Sequence, residues 1–138
     1  MDAARILVLA GASVIGALGA LHIAYTFFGG KLLPRDASVI DAMKGTTLAI
    51  TRQTTLWDAW IGFNASHGLG ALLFGAIYIL LAVRHMELLA RAPELLALGL
   101  ATLLAYLWLA HSYWFRIPFT GIAIATACFT AAALLLFR

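Results

Sequence analysis

The chain has 138 residues, of which 64% are hydrophobic and only 11% charged, with a formal net charge of +3. A soluble domain carries roughly 45–50% apolar and about 25% charged residues, so this composition excludes a soluble globule and requires lipid as the main solvent. The positive charge is spread along the chain without a basic block, which excludes a nucleic-acid partner.

Four stretches, 6–28, 59–83, 95–115 and 117–137, contain no Asp, Glu, Lys or Arg. Each has about 20 residues or slightly more, enough at 1.5 Å per residue to cross a hydrocarbon core roughly 30 Å thick. The alternating apolar and polar runs of a barrel are missing. The predicted fold is all-α: a four-helix transmembrane bundle forming a single integral membrane domain, with spans over about 6–28, 57–83, 95–115 and 117–137 and a short amphipathic segment in the first loop.

The first span follows a short start ending in Arg5. Its apolar run exceeds the roughly 7–15 residues of a signal-peptide core, so a retained span is expected. Gly29-Gly30 and Pro34 stop it. In the loop over 31–54, Asp36 or Ser38 is placed to cap a short helix carrying Val39, Ile40 and Met43 on one side. That helix is expected to lie on the membrane surface as a lid, since a compact domain rarely leaves about 20 residues without structure. The second span returns from about 55 to 83, and a polar turn over 84–93 leads to Pro93 and Glu94, which suit a helix start. His85, in the last turn of the second span, favours the helix dipole. The third span ends at Arg116 and Pro118 opens the fourth, which carries the single cysteine, Cys128, as a packing residue. Asn64-Ala65-Ser66 matches a glycosylation pattern but lies inside a span, out of reach of a transferase.

This topology puts both termini on one membrane face, the near face, with the long loop on the far face. Arg5, Arg84, Arg91 and Arg138 on the near face balance Lys31, Arg35, Lys44, Arg52 and Arg116 on the far face, so charge does not orient the protein. The general habit of even-span proteins favours cytoplasmic termini. Helices in lipid associate through small residues. Ala12, Gly16, Gly19 and Ala20 offer such a surface on the first span, and Gly121, Ala125, Ala127 and Ala131 to Ala133 on the fourth. The second span offers two stripes, Gly62/Ser66/Gly70 and Gly68/Ala71/Gly75, which predicts a central position.

His22, His67 and His111 stand in three different apolar runs. An ionisable group within a span needs a partner or a wet cavity. Counted from the helix ends, the three rings fall within roughly 10 Å of one another along the membrane normal. Helical spacing gives each a face: Gly19, His22, Tyr25 and Thr26; Trp60, Asn64, His67 and Ala71; Ala101, Ala105, Trp108 and His111. These faces are expected to point inward. Asp58 is the carboxylate beside a span on that side, with Arg52 or Arg116 as its natural partner, and Tyr113 nearby.

Three readings follow. In the first, each histidine makes an interhelical hydrogen bond in a structural subunit of a larger membrane complex or homo-oligomer. In the second, the far end of the bundle holds a pocket for a hydrophobic small molecule or membrane lipid, lined by His22, Tyr25, Trp60, Asn64, Trp108, Arg52 and Arg116, with apolar walls from Phe27, Phe63 and Trp114. His67, His111 and Asp58 would there supply acid–base chemistry. In the third, His22, His67 and His111 ligate a metal, or one or two of them a haem. The second is the preferred expectation; no cofactor is specified.

The segment Gly-Ala-Leu-His-Ile-Ala-Tyr-Thr-Phe-Phe over 19–28, Leu-Pro-Arg-Asp over 33–36 and Thr-Thr-Leu-Trp-Asp-Ala-Trp-Ile-Gly-Phe-Asn-Ala-Ser-His-Gly over 54–68 resemble a group of small uncharacterised bacterial four-span integral membrane proteins. The likeness covers roughly half the chain; it implies a bacterial inner membrane and no particular activity. Four spans, a long first loop and histidines near one end are also similar in architecture to the sterol-isomerase and sigma-2-receptor (EXPERA-type) fold, which implies a lipophilic pocket. That family works through acidic residues within its spans, whereas this chain has only Asp58, at a span's edge.

Overall fold

A computed structural model describes residues 1–137; Arg138, counted above among the near-face cations, lies outside the described residues. The elements in chain order are α1 (Asp2–Phe27), α2 (Ala37–Gly45), β1 (Thr47–Leu48), β2 (Thr51–Thr55), α3 (Leu56–Arg84), α4 (Met86–Arg91), α5 (Pro93–Tyr113) and α6 (Arg116–Leu136). Among the described residues, α1, α3, α5 and α6 are the helices long and apolar enough to cross a membrane. The chain is an all-α integral membrane protein. The 21 residues of α5 and of α6 match the hydrocarbon thickness, at about 31 Å, whereas the 26 of α1 and 29 of α3 reach about 39 and 43 Å. The longer helices must tilt or protrude.

The helix ends follow local chemistry. Pro93 sits in the first turn of α5, where its missing N–H costs nothing. Gly29, just past α1, has φ +97°, a conformation that a Cβ disfavours. Asp36 caps α2, its carboxylate accepting from the Ser38 amide at 2.9 Å and the Ser38 hydroxyl at 2.8 Å.

The chain divides into two compact units, one of Met1–Leu18 with Ala71–Arg138 and one of Gly19–Gly70. In the first unit, parts of all four spans pack as a four-helix bundle around Val8, Ala12, Ile15, Tyr78, Leu96, Leu103, Ala125 and Phe129. Phe129 is its largest fully buried side chain; it meets Tyr78 edge-to-face at 5.0 Å and Phe74 at 5.7 Å. Close approach is bought with missing side chains. A Cβ on Gly75 would lie 2.6 Å from the Gly16 Cα, so α1 and α3 touch backbone to backbone. A Cβ on Gly99 would lie 2.6 Å from the Tyr78 hydroxyl oxygen, and that hydroxyl donates to the Leu95 carbonyl at 2.6 Å. Tyr78 thereby satisfies its polar tip inside an apolar core.

In the second unit, the last part of α1 runs beside the first part of α3. A Cβ on Gly68 would meet the Gly19 carbonyl oxygen at 3.1 Å and the Ile23 side chain at 2.7 Å. α2 and an antiparallel β1–β2 hairpin fill the loop, with Thr47 opposite Thr55 and Leu48 opposite Thr51 across an irregular register. α2 carries no fully buried residue.

Several expectations are corrected. The hairpin was not anticipated, although β-branched residues crowd 46–55. The turn over 84–93 contains α4, which buries Met86 and Leu89. The stripe Gly62/Ser66/Gly70 is exposed, and nothing lies within 4 Å of a Cβ on Gly62; only the Gly68/Ala71/Gly75 stripe packs. Gly11, outside the small-residue surface expected on the first span, accommodates the Phe129 ring, 2.9 Å from a Cβ placed there.

Candidate functional site: an imidazole pair in the second unit

The Gly68 approach draws α1 and α3 close enough for their polar side chains to meet. The His22 Nε2 and Asn64 Oδ1 atoms are 3.1 Å apart. Asn64 Nδ2 donates to the Trp60 carbonyl at 2.8 Å, which turns Oδ1 toward His22. An amide oxygen only accepts, so the His22 Nε2–H donates and, in the neutral ring, the lone pair belongs to Nδ1. Thr26, one turn further along α1 and only 6% exposed, donates its hydroxyl to the His22 carbonyl at 2.7 Å. The His67 ring meets the His22 ring edge-to-face, with centroids 5.0 Å apart. His22, Asn64 and His67 are all half-buried.

Around the start of α3 the groups are aromatic and cationic. Trp57 and Trp60 stack with centroids 5.4 Å apart, and the Lys44 ammonium stands 5.4 Å from the Trp57 ring centre. Lys31, beyond the end of α1, donates to the Tyr25 hydroxyl at 3.2 Å. Arg52 is exposed on β2. The unit therefore offers a paired imidazole group within spans, flanked by a tryptophan stack. Chemically it can present the lone pair of the His22 Nδ1 atom to a polar group on an otherwise apolar molecule.

Asp58 does not join this pair. Its carboxylate accepts from the Thr55 hydroxyl at 2.7 Å, and the same hydroxyl accepts from the Asp58 amide at 3.1 Å. This is a reciprocal cap on α3. His67 lies nine residues further along the same helix, about 13 Å along its axis. The ion pair expected with Arg52, in the same unit, does not form; among the described residues the salt bridge present is Arg91–Glu87.

His111 and Trp108 belong to the first unit, on α5. The face Ala101, Ala105, Trp108 and His111, expected to point inward, is exposed throughout, with Trp108 62% accessible. The inward face of α5 is instead Leu96, Gly99, Leu103 and Ala110. The physical reason is fit: Gly99 has no Cβ and so admits Tyr78 and Phe129 to within about van der Waals contact of the helix backbone. His111 rests against Phe119 at 6.1 Å, and Trp108 against Tyr113 at 6.1 Å. Arg116 is exposed at the first position of α6. Among the described residues no group of three His, Cys, Asp or Glu is placed to hold a metal ion.

No family model, curated protein or solved structure matches the chain.

Proposed function

We propose that this is a bacterial inner-membrane protein, with its termini in the cytoplasm, that binds a lipophilic molecule carrying a polar group at the His22–His67 pair. The carrying observation is the His22–Asn64 hydrogen bond with His67 edge-on at 5.0 Å. Polar groups in spans are expensive, and a purely structural contact needs only one interhelical hydrogen bond. Here the His22–Asn64 bond alone meets that structural need, and a second imidazole is held beside the first. The Trp57–Trp60 stack supports an amphipathic ligand at the level of the headgroups. With Asp58 engaged in capping, the reading is recognition by imidazole and does not invoke the carboxylate.

The test is native mass spectrometry of the full chain extracted with its surrounding lipid. The wild-type protein is expected to retain a lipophilic species that His22→Ala and His67→Ala lose while remaining folded by circular dichroism. If both variants carry the same bound species at the same occupancy as the wild type, the reading is wrong.

A further inference from the structure

The first unit carries a second polar feature that the imidazole pair does not use. The start of α1 and the junction between α3 and α4 border an open cleft of about 310 Å³, lined among others by Arg5, Arg84, His85, Met86 and Glu87. Arg5 is half-buried, and its Nε is buried without a hydrogen-bond partner among the described residues. A buried guanidinium donor left unmatched is costly and calls for an acceptor. Among the described residues the carboxylate in the wall is Glu87, and it is paired with Arg91 at 3.3 Å out on the surface, where both side chains are largely exposed. Two guanidinium groups therefore face the cleft with no anion of the described chain bound to either.

We propose that this cleft binds the phosphodiester of an anionic membrane lipid. Its size decides between ligand classes: pockets for drug-sized molecules run from roughly 300 to 1,000 Å³, so this one sits at the lower limit and suits a headgroup better than a whole amphiphile. Its position agrees, because Arg5 is in the opening turns of one span and Arg84 closes another, the level at which lipid phosphates lie. Guanidinium is the side chain suited to phosphate, because its planar fork donates two parallel hydrogen bonds. Met86 forms part of the wall, where it can meet the upper acyl chain.

The test places the full chain in nanodiscs of phosphatidylcholine containing a minor fraction of phosphatidylglycerol and counts retained lipids by native mass spectrometry. Phosphatidylglycerol is expected to be retained over phosphatidylcholine. Arg5→Gln and Arg84→Gln should each reduce that preference about fivefold, the effect of one cation at a lipid surface, and Arg91→Gln should leave it unchanged. Arg5→Lys, which keeps the charge but loses the fork, serves if Arg5→Gln does not fold, and should give an intermediate loss. Equal retention of the two lipids by the wild type overturns the proposal. So does an equal loss in Arg91→Gln, which would mean diffuse surface attraction. A third arm adds inorganic phosphate or soluble glycerol phosphate at millimolar concentration. Little displacement is expected, and full displacement would mean that the cleft serves a soluble anion and not a lipid.

Discussion

Replacing Gly75 by alanine tests the packing at its tightest point. The added Cβ would stand 2.6 Å from the Gly16 Cα and 2.8 Å from both the Ala12 oxygen and the Gly16 nitrogen, all backbone atoms that no rotamer change can move. Helices α1 and α3 must part locally, and overpacking of this kind costs about 1–3 kcal/mol. Alanine also gains about 1 kcal/mol of helix propensity over glycine, which partly offsets the cost. Gly16→Ala removes that ambiguity. It gains the same propensity, yet its Cβ meets the Gly75 Cα at 3.6 Å, an ordinary contact. Gly62→Ala, with nothing within 4 Å, gains propensity alone. The stability difference between Gly75→Ala and Gly16→Ala therefore isolates the clash, and it should be about 1–3 kcal/mol with Gly75→Ala the weaker. Equilibrium unfolding of the three variants in mixed micelles, titrated with denaturing detergent, measures it. If Gly75→Ala is as stable as Gly16→Ala, the backbone contact is not what holds these helices together.

Asn64→Ala and His22→Ala should each lower stability by about 0.5–1.5 kcal/mol, and the double variant should lose less than their sum, with a coupling near 0.6 kcal/mol typical of hydrogen bonds in membranes; full additivity would remove the bond from consideration. Thr55→Ala deletes the hydroxyl that both donates to the Asp58 carboxylate and accepts the Asp58 amide, so the first turn of α3 should lose about 1 kcal/mol and its amides exchange faster. The Asp36 carboxyl is held below its ordinary value of 3.8, first by the Ser38 hydroxyl and then by the Ser38 amide. A depressed folded value means that the cap is fully present above the ordinary value and is lost as pH falls through the lower one. Amide exchange in α2, corrected for intrinsic rates, should thus stay flat from neutrality down to the ordinary carboxylate range and rise only below it; onset at a higher pH would contradict the capping role.

What the sequence determined by itself was the solvent and the elements. Runs of about 20 uncharged residues can satisfy their backbone in lipid only as helices, so the four long apolar helices were legible to within a few residues. Stops and starts at Gly29, Pro93 and Asp36 were equally legible, because their causes are confined to one or two side chains. Rotation was not legible. Every span is apolar on all sides, so hydropathy cannot say which stripe turns inward, and lipid accepts the rest without penalty. For α5 the stripe bearing Trp108 and His111 was expected inside, yet Gly99 won that place because its missing Cβ lets Tyr78 and Phe129 close on the helix. For α3 the choice between two small-residue stripes was settled by the facing backbone of Gly16 in one unit and of Gly19 in the other. The same cause divided the candidate site: His22, Asn64 and His67 meet because Gly68 admits α1 there, while Asp58 is taken by the Thr55 hydroxyl three residues before it, a Thr-x-x-Asp capping spacing that the sequence does carry. In a membrane, composition selects the helices, and steric fit between their surfaces decides which polar groups find each other.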